Sequence, residues 1–83
     1  MLQPSFLNLK GRENQVTNIT PLQGLAQLNY LDIDDNQITD IGTLSSLTNL
    51  QHLYLANNSL SSLTPLSNLT ELLRLSLINT QLT

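Results

Sequence analysis

Residues 28–49 read LNYLDIDDNQITDIGTLSSLTN, and residues 50–71, which follow directly, read LQHLYLANNSLSSLTPLSNLTE. The two segments align without a gap, so that each apolar position and one asparagine return after 22 residues. The recurring positions of the first segment are Leu28, Leu31, Ile33, Asn36, Ile38, Ile41, Leu44 and Leu47. A tandem period between about 20 and 50 residues is typical of solenoids and repeat arrays. We therefore predict that the chain folds as a stack of similar coils.

The same frame extends towards both ends of the sequence. It assigns Phe6, Leu9, Gly11 and Asn14 to the first unit, and Leu72, Leu75, Leu77 and Thr80 to the last. We therefore predict a single array over residues 1–83, with repeats of about 6–27, 28–49 and 50–71 and a partial repeat 72–83. Because the last repeat is partial and the polar caps that terminal repeats need are missing, we expect a fragment of a longer array.

The first and last units depart from the frame. Gly11 stands where an apolar strand residue belongs, and Thr80 occupies the position of the recurring asparagine. Two arrangements of the first unit are open. Either its strand is shifted to Leu7 and Leu9 with a two-residue bulge, or the first coil is poorly packed.

The leucine spacing indicates strands and tight turns instead of helices. On an α-helix, leucines spaced by three, as in the run from Leu60 to Leu75, would each be rotated by about 60° from the previous one. They would encircle the helix, and no single face would be buried. Residues 30–34, 52–56 and 74–77 alternate polar and apolar side chains, which is the pattern of half-buried strands. Proline suits the first position of a tight turn. We therefore predict back turns at Thr20-Pro21-Leu22 and Thr64-Pro65-Leu66, with Gly42-Thr43-Leu44 as the divergent copy.

The predicted fold is thus an α/β repeat solenoid of about three and a half coils. A parallel β-sheet lies on its concave face, and 3₁₀ or irregular turns lie on its convex face. The recurring asparagines have a structural role in this fold, because a polar side chain at an inward corner is costly unless its amide is hydrogen-bonded. We expect the column of Asn14, Asn36 and Asn58 to bond backbone groups of its own and adjacent coils.

Composition excludes several classes of function. The chain has three basic and six acidic side chains, and a net charge of −3 argues against a groove that follows nucleic-acid phosphates. Without cysteine there is no disulfide, thiolate metal site or thiol nucleophile. No apolar run is long enough to span a membrane, and the first residues do not resemble a signal peptide. The compartment stays open between the cytoplasm and, within a longer protein, a bacterial cell surface.

The repeat resembles the leucine-rich repeat, and specifically the short bacterial type found in internalin-like surface proteins. The resemblance covers about residues 6–82, and Ile38-Thr-Asp-Ile41 and Leu63-Thr-Pro-Leu66 are close to the phrasing of that type. It implies a solenoid that binds another protein or a peptide on its concave sheet.

In the 22-residue frame, the outward strand residues form columns on that sheet. The first column is Asn8, Tyr30, His52 and Arg74, and the second is Lys10, Asp32, Tyr54 and Ser76. This frame predicts ion pairs between Lys10 and Asp32 and between Arg12 and Asp34. Exposed tyrosine and arginine are common interface anchors. The predicted contact residues are Tyr30, Asp32, Asp34, His52, Tyr54 and Arg74.

The residues present argue against a calcium-binding loop and against a hydrolase active site. The segment from Asp32 to Asn36 resembles the start of a calcium loop, but Gln37 and Thr43 stand where glycine and glutamate are required. His52 has Ser76 and Asp32 as predicted neighbours, yet nothing supplies an oxyanion hole or a substrate pocket. We predict no catalytic residue, metal ligand or cofactor.

Three classes of function follow. The first is a binding module for a protein or peptide. The second is a spacer or stacking segment of a larger array, and the third is a sensor segment of a multidomain signalling enzyme. The unpaired last strand also invites self-association through the uncapped ends.

Overall fold

The computed structural model describes residues 5–10 and 16–80, in which four short strands alternate with three 3₁₀ turns. The strands are β1 (Phe6–Asn8), β2 (Tyr30–Asp32), β3 (His52–Tyr54) and β4 (Arg74–Ser76). The 3₁₀ turns are η1 (Thr20–Leu22), η2 (Gly42–Ser46) and η3 (Thr64–Asn68). No α-helix occurs in this part of the chain. Strand and turn thus alternate once per repeat.

The strands form one parallel sheet in the order β1-β2-β3-β4. Tyr30 pairs with His52 and His52 with Arg74, so each of these strands is displaced from the previous one by a single 22-residue repeat. Pro21 and Pro65 lie in the first turns of η1 and η3, where the fixed φ of proline is compatible with the turn. The predicted solenoid of parallel strands and 3₁₀ turns is confirmed.

The core lies between the sheet and the 3₁₀ turns and is made by the recurring leucines and isoleucines. Fully buried side chains come from the second and third repeats: Leu28, Leu31, Ile33, Ile38, Ile41, Leu44, Leu47, Leu50, Leu53, Leu55 and Leu60. Burial falls off at β4, where Leu75 is 43% exposed although its counterpart Leu53 is 0% exposed. A repeat therefore closes its core only when it has a neighbour on each side.

The first strand is shifted relative to the 22-residue frame. Phe6 pairs with Tyr30 and Asn8 with Asp32, which are 24 positions apart. The frame has returned to 22 by Val16, because the bond from the Gln37 N–H to the Val16 carbonyl recurs one repeat later. Of the two arrangements of the first unit, the structure has the shifted strand. Gly11, Arg12 and Asn14 lie outside the described residues.

Candidate functional site

The outward side chains of the four strands form one partly exposed surface, here called the sheet face. The register places Phe6, Tyr30, His52 and Arg74 in its first row, and Asn8, Asp32, Tyr54 and Ser76 in its second. Neighbouring strands of a sheet lie about 4.8 Å apart, so members of a row are in direct contact range. The inward residues between them, such as Leu31 and Leu53, are fully buried and fix the backbone beneath the surface.

Four rings meet on the sheet face in an aromatic cluster made of Phe6, Tyr30, His52 and Tyr54. The rings of Phe6 and Tyr30 are stacked, with centroids 4.3 Å apart and planes inclined by 14°. Tyr30 also contacts His52 at 5.7 Å and Tyr54 at 5.5 Å, both in tilted arrangements. Phe6 remains 59% exposed. Tyr30 is thus the centre of a partly exposed apolar surface with polar edges.

Two carboxylates lie beside this cluster. Asp32 is only 8% exposed, and its Oδ1 accepts a hydrogen bond from the Asp34 N–H at 3.0 Å. The Oδ1 of Asp34 in turn accepts from the N–H of Ala56, which lies in the turn that follows β3, at 2.7 Å. Each carboxylate therefore has one oxygen bound to the backbone, which fixes its position.

Burial and neighbouring charge affect two of these groups. Burial raises the pKa of Asp34, an effect that the hydrogen bond from Ala56 opposes and the charge of Asp32 adds to. Burial also raises the pKa of Tyr30, and the nearby Asp32 carboxylate acts in the same direction. The Lys10 charge acts in the opposite direction on both groups. Negative charge consequently outweighs positive charge around Tyr30.

The recurring asparagines support the loops that leave the strands. The Nδ2 of Asn58 donates to the carbonyls of Ile33, Leu55 and Ala56, and its Oδ1 accepts from the Ile38 N–H at 3.0 Å. Asn36 donates in the same way to carbonyls of its own repeat and to the carbonyl of Leu9, which follows β1. Its Oδ1 is buried without a hydrogen-bond partner among the described residues. These side chains join adjacent coils at the edge of the sheet face.

A second polar column precedes the asparagines. Asp35, Asn57 and Asn79 all have positive φ, between 58° and 61°. Asparagine and aspartate adopt this left-handed conformation more readily than other non-glycine residues. Their side chains form a ladder, in which Asn57 Nδ2 donates to Asp35 Oδ1 and Asn79 Nδ2 donates to Asn57 Oδ1. No role was predicted for these residues from the sequence, although the repeated choice of Asp or Asn was a usable signal.

The structure brings five of the six predicted contact residues together, namely Tyr30, Asp32, Asp34, His52 and Tyr54. Arg74 stands beside His52 on the exposed last strand. The predicted pair of Lys10 and Asp32 is wrong, because the two-residue shift of the first strand makes Asn8 the neighbour of Asp32. The predicted pair of Arg12 and Asp34 lies outside the described residues. Phe6 was missed as a surface residue, since the unshifted frame placed it at an inward position.

The part of the chain that the structure describes contains neither a candidate metal site nor a membrane-spanning helix. Residues 5–10 and 16–80 contain no cluster of three or more His, Asp or Glu side chains suited to a metal ion. None of the helices formed by these residues has the length and apolar character needed to cross a bilayer. A polar recess lies near the starts of the strands and is lined by Gln27, Asn29, Thr48, Asn49, Gln51, Thr70 and Glu71.

Comparisons with known proteins agree with this architecture. The sequence model of the leucine-rich repeat family matches residues 6–60. Among solved structures, the chain is similar to an internalin (inlF) from Listeria monocytogenes, with 45% identity and a TM-score of 0.78 over 80% of this chain and 19% of that one. It is also similar to an internalin C2 (inlC2) of the same species, with 40% identity and a TM-score of 0.79 over 82% of this chain and 30% of that one. The chain therefore spans less than a third of either internalin. No curated protein sequence matches it.

Proposed function

The chain belongs to the leucine-rich repeat family, and from this premise we propose that it is a non-catalytic interaction module that binds a protein or peptide on its sheet face. Leucine-rich repeat domains typically bind proteins. The observation that carries the proposal is the aromatic cluster, because four rings stand on the side of the sheet that the leucine core does not use. Partly exposed aromatic side chains beside charged groups are typical of interface anchors.

The rigidity of the site supports this proposal. Leu31 and Leu53 are fully buried beneath the rings, and the strands that carry them are paired on both sides. Aromatic side chains lose little conformational entropy on binding, and a fixed backbone reduces the remaining cost. A surface of this kind is suited to recognition.

Affinity capture from bacterial lysate with the immobilised chain tests the proposal. We expect the captured proteins to be lost when Tyr30 and Tyr54 are both replaced by alanine. Gln23→Ala and Ser67→Ala, on exposed positions of the back turns, are the controls and leave capture unchanged. Equal capture by the double variant and by wild type, with both proteins folded, contradicts binding on the sheet face.

The second candidate function is a stacking segment within a larger array. It is favoured by the share of the internalins that the chain covers, 19% and 30%, and by the exposure of the last repeat. Leu73 is 72% exposed and Ile78 is 73% exposed, beside β4, one edge of which has no partner strand among the described residues. In this case substitutions on the sheet face leave function unchanged, while substitutions of the buried leucines abolish it.

A further inference from the structure

We propose that the sheet face selects a partner segment that carries a lysine or arginine side chain, seated against the Tyr30 and Tyr54 rings and the carboxylates of Asp32 and Asp34. This inference rests on the proposed function and adds the chemistry of the partner. It uses four residues of one continuous surface, two of them aromatic and two of them acidic.

The first argument concerns the carboxylate of Asp32. A side chain that is 8% exposed has lost most of its contact with water, and a buried carboxylate is costly unless it is paired or hydrogen-bonded. Its hydrogen bond in the described part of the chain comes from the Asp34 N–H, and no described cationic side chain forms an ion pair with it. The carboxylate consequently has capacity for a further positive partner.

The second argument concerns the rings. Tyr30 lies on β2 with Asp32, and Tyr54 is the register partner of Asp32 on β3. The ring centroids of the two tyrosines lie 5.5 Å apart, and the ring planes are inclined by 53°. A cation within about 6 Å of an aromatic ring centre is attracted by the negative face of the ring. An arginine or lysine also has an apolar stem, which the exposed ring of Phe6 is able to cover. Rings and carboxylates together therefore favour a cation with an aliphatic stem over a bare metal ion.

The third argument concerns the balance of charge. Asp32, Asp34 and Asp35 follow one another on one side of the sheet face, and Lys10 is the described cation whose charge acts on Asp34. The raised pKa values of Asp34 and Tyr30 have the same origin, since burial and neighbouring negative charge both disfavour the ionised forms. A cation bound beside these groups would oppose the effect of the negative charges. Charge complementarity thus points to a basic partner segment.

Selection from a library of short random displayed peptides tests the inference on the full 83-residue chain. We expect the selected peptides to contain lysine or arginine, and their binding to weaken as salt concentration rises. Asp32→Asn and Asp34→Asn keep the Oδ1 acceptors but remove the charges. We expect either variant to bind at least about tenfold more weakly, the loss typical of one charge-assisted contact.

Glu71→Gln is the matched control, because it removes the same charge from the polar recess near the strand starts. It should leave the affinity unchanged. Replacement of the basic residue of a selected peptide by citrulline or norleucine should cost as much as the aspartate substitutions.

The outcomes separate this inference from the proposed function. Peptides that lose binding with Tyr54→Ala but keep it with Asp32→Asn and Asp34→Asn overturn the cationic seat and leave the binding module intact. Selected peptides that are indifferent to Tyr54→Ala overturn both. Equal binding of basic peptides and their citrulline forms also overturns the inference.

Discussion

At the scale of single residues, the fold depends on polar side chains that hold adjacent coils together. Asn58 donates to three carbonyls and accepts from Ile38, and its side chain is 3% exposed. Water does not replace these bonds when the amide is removed, because the partners stay buried. Asn58 is therefore needed for its side-chain hydrogen bonds, whereas the neighbouring Asn57 is needed because it tolerates a positive φ.

Asn58→Ala should lower the free energy of unfolding by about 2–4 kcal/mol, since several buried backbone groups lose their partner. Urea denaturation measures the loss. Asn68→Ala, at an exposed position of η3, is the matched control and should stay close to wild type. A cost for Asn58→Ala as small as that of the control would contradict the structural role.

Asn57 has a φ of 61°, which glycine tolerates and a β-branched residue does not. Asn57→Val should therefore destabilise the chain by about 1–2 kcal/mol more than Asn57→Gly. Both variants lose the side-chain hydrogen bonds to Asp35 and Asn79. The difference between their free energies of unfolding therefore measures the cost of the positive φ. Thermal or urea unfolding with equal stability for the two variants would refute the assignment.

Asp34 makes stability depend on pH. Burial raises its pKa in the folded state, so the folded chain holds the proton more tightly than the unfolded chain. The associated stability is present at acidic pH and is lost as pH rises through the folded-state pKa. Asp34→Asn keeps the acceptor for Ala56 without ionising. We expect its stability relative to wild type to increase from about pH 3 to pH 6, as measured by urea midpoints. A difference that is constant over this range would contradict the raised pKa.

At the scale of elements, most of the architecture was predictable from the period of 22 residues. Strands β2, β3 and β4 begin at the predicted alternating segments, and η1 and η3 begin at the two Thr-Pro pairs. For the first strand the sequence left two arrangements open, and the structure has the one that is shifted to Leu7 and Leu9. The contact columns were drawn in the unshifted frame, because the period alone does not locate the two-residue insertion. The alternation at Leu7 and Leu9 carried the correct register. With that register, Phe6 would have joined the contact surface.

The positive φ column was not predicted either. A repeat period specifies which residues are equivalent, but it contains no direct information on backbone handedness. The repeated choice of Asp or Asn at this position was a signal, but the positive φ of Asp35, Asn57 and Asn79 followed only from their dihedral angles and side-chain ladder. The outward placement of Tyr30 and Tyr54 was predictable, since they occupy outward positions of strands whose inward positions are leucine. Their role as contact residues stays a prediction.

Equivalent positions of β3 and β4 should differ in their contribution to stability. Leu53 is 0% exposed and Leu75 is 43% exposed, although they occupy the same place in successive repeats. Leu53→Ala should cost about 2–5 kcal/mol, the range for a buried leucine, while Leu75→Ala should cost much less. Denaturant unfolding of the two variants provides the comparison. Equal costs would mean that the last repeat is as well packed as the third.

At the scale of the whole molecule, the chain is a stack of coils whose sheet carries an aromatic cluster on its outward face. The leucine core fixes the strands, the asparagine column joins the coils, and the remaining outward positions are free to carry recognition. Membership of the leucine-rich repeat family explains the stack, but it leaves the surface to the residues themselves. In our proposal, the aromatic cluster and the carboxylates of Asp32 and Asp34 distinguish a recognition surface from a spacer.

Binding on the sheet face is tested most directly by a map of amide chemical-shift changes in the isotope-labelled chain when a selected peptide is added. We predict that the largest changes lie in β2 and β3 and around Phe6, with the back turns η1, η2 and η3 unaffected. The pattern should vanish with Tyr54→Ala. Changes confined to the back turns, or to the exposed last strand, would contradict the proposed binding surface.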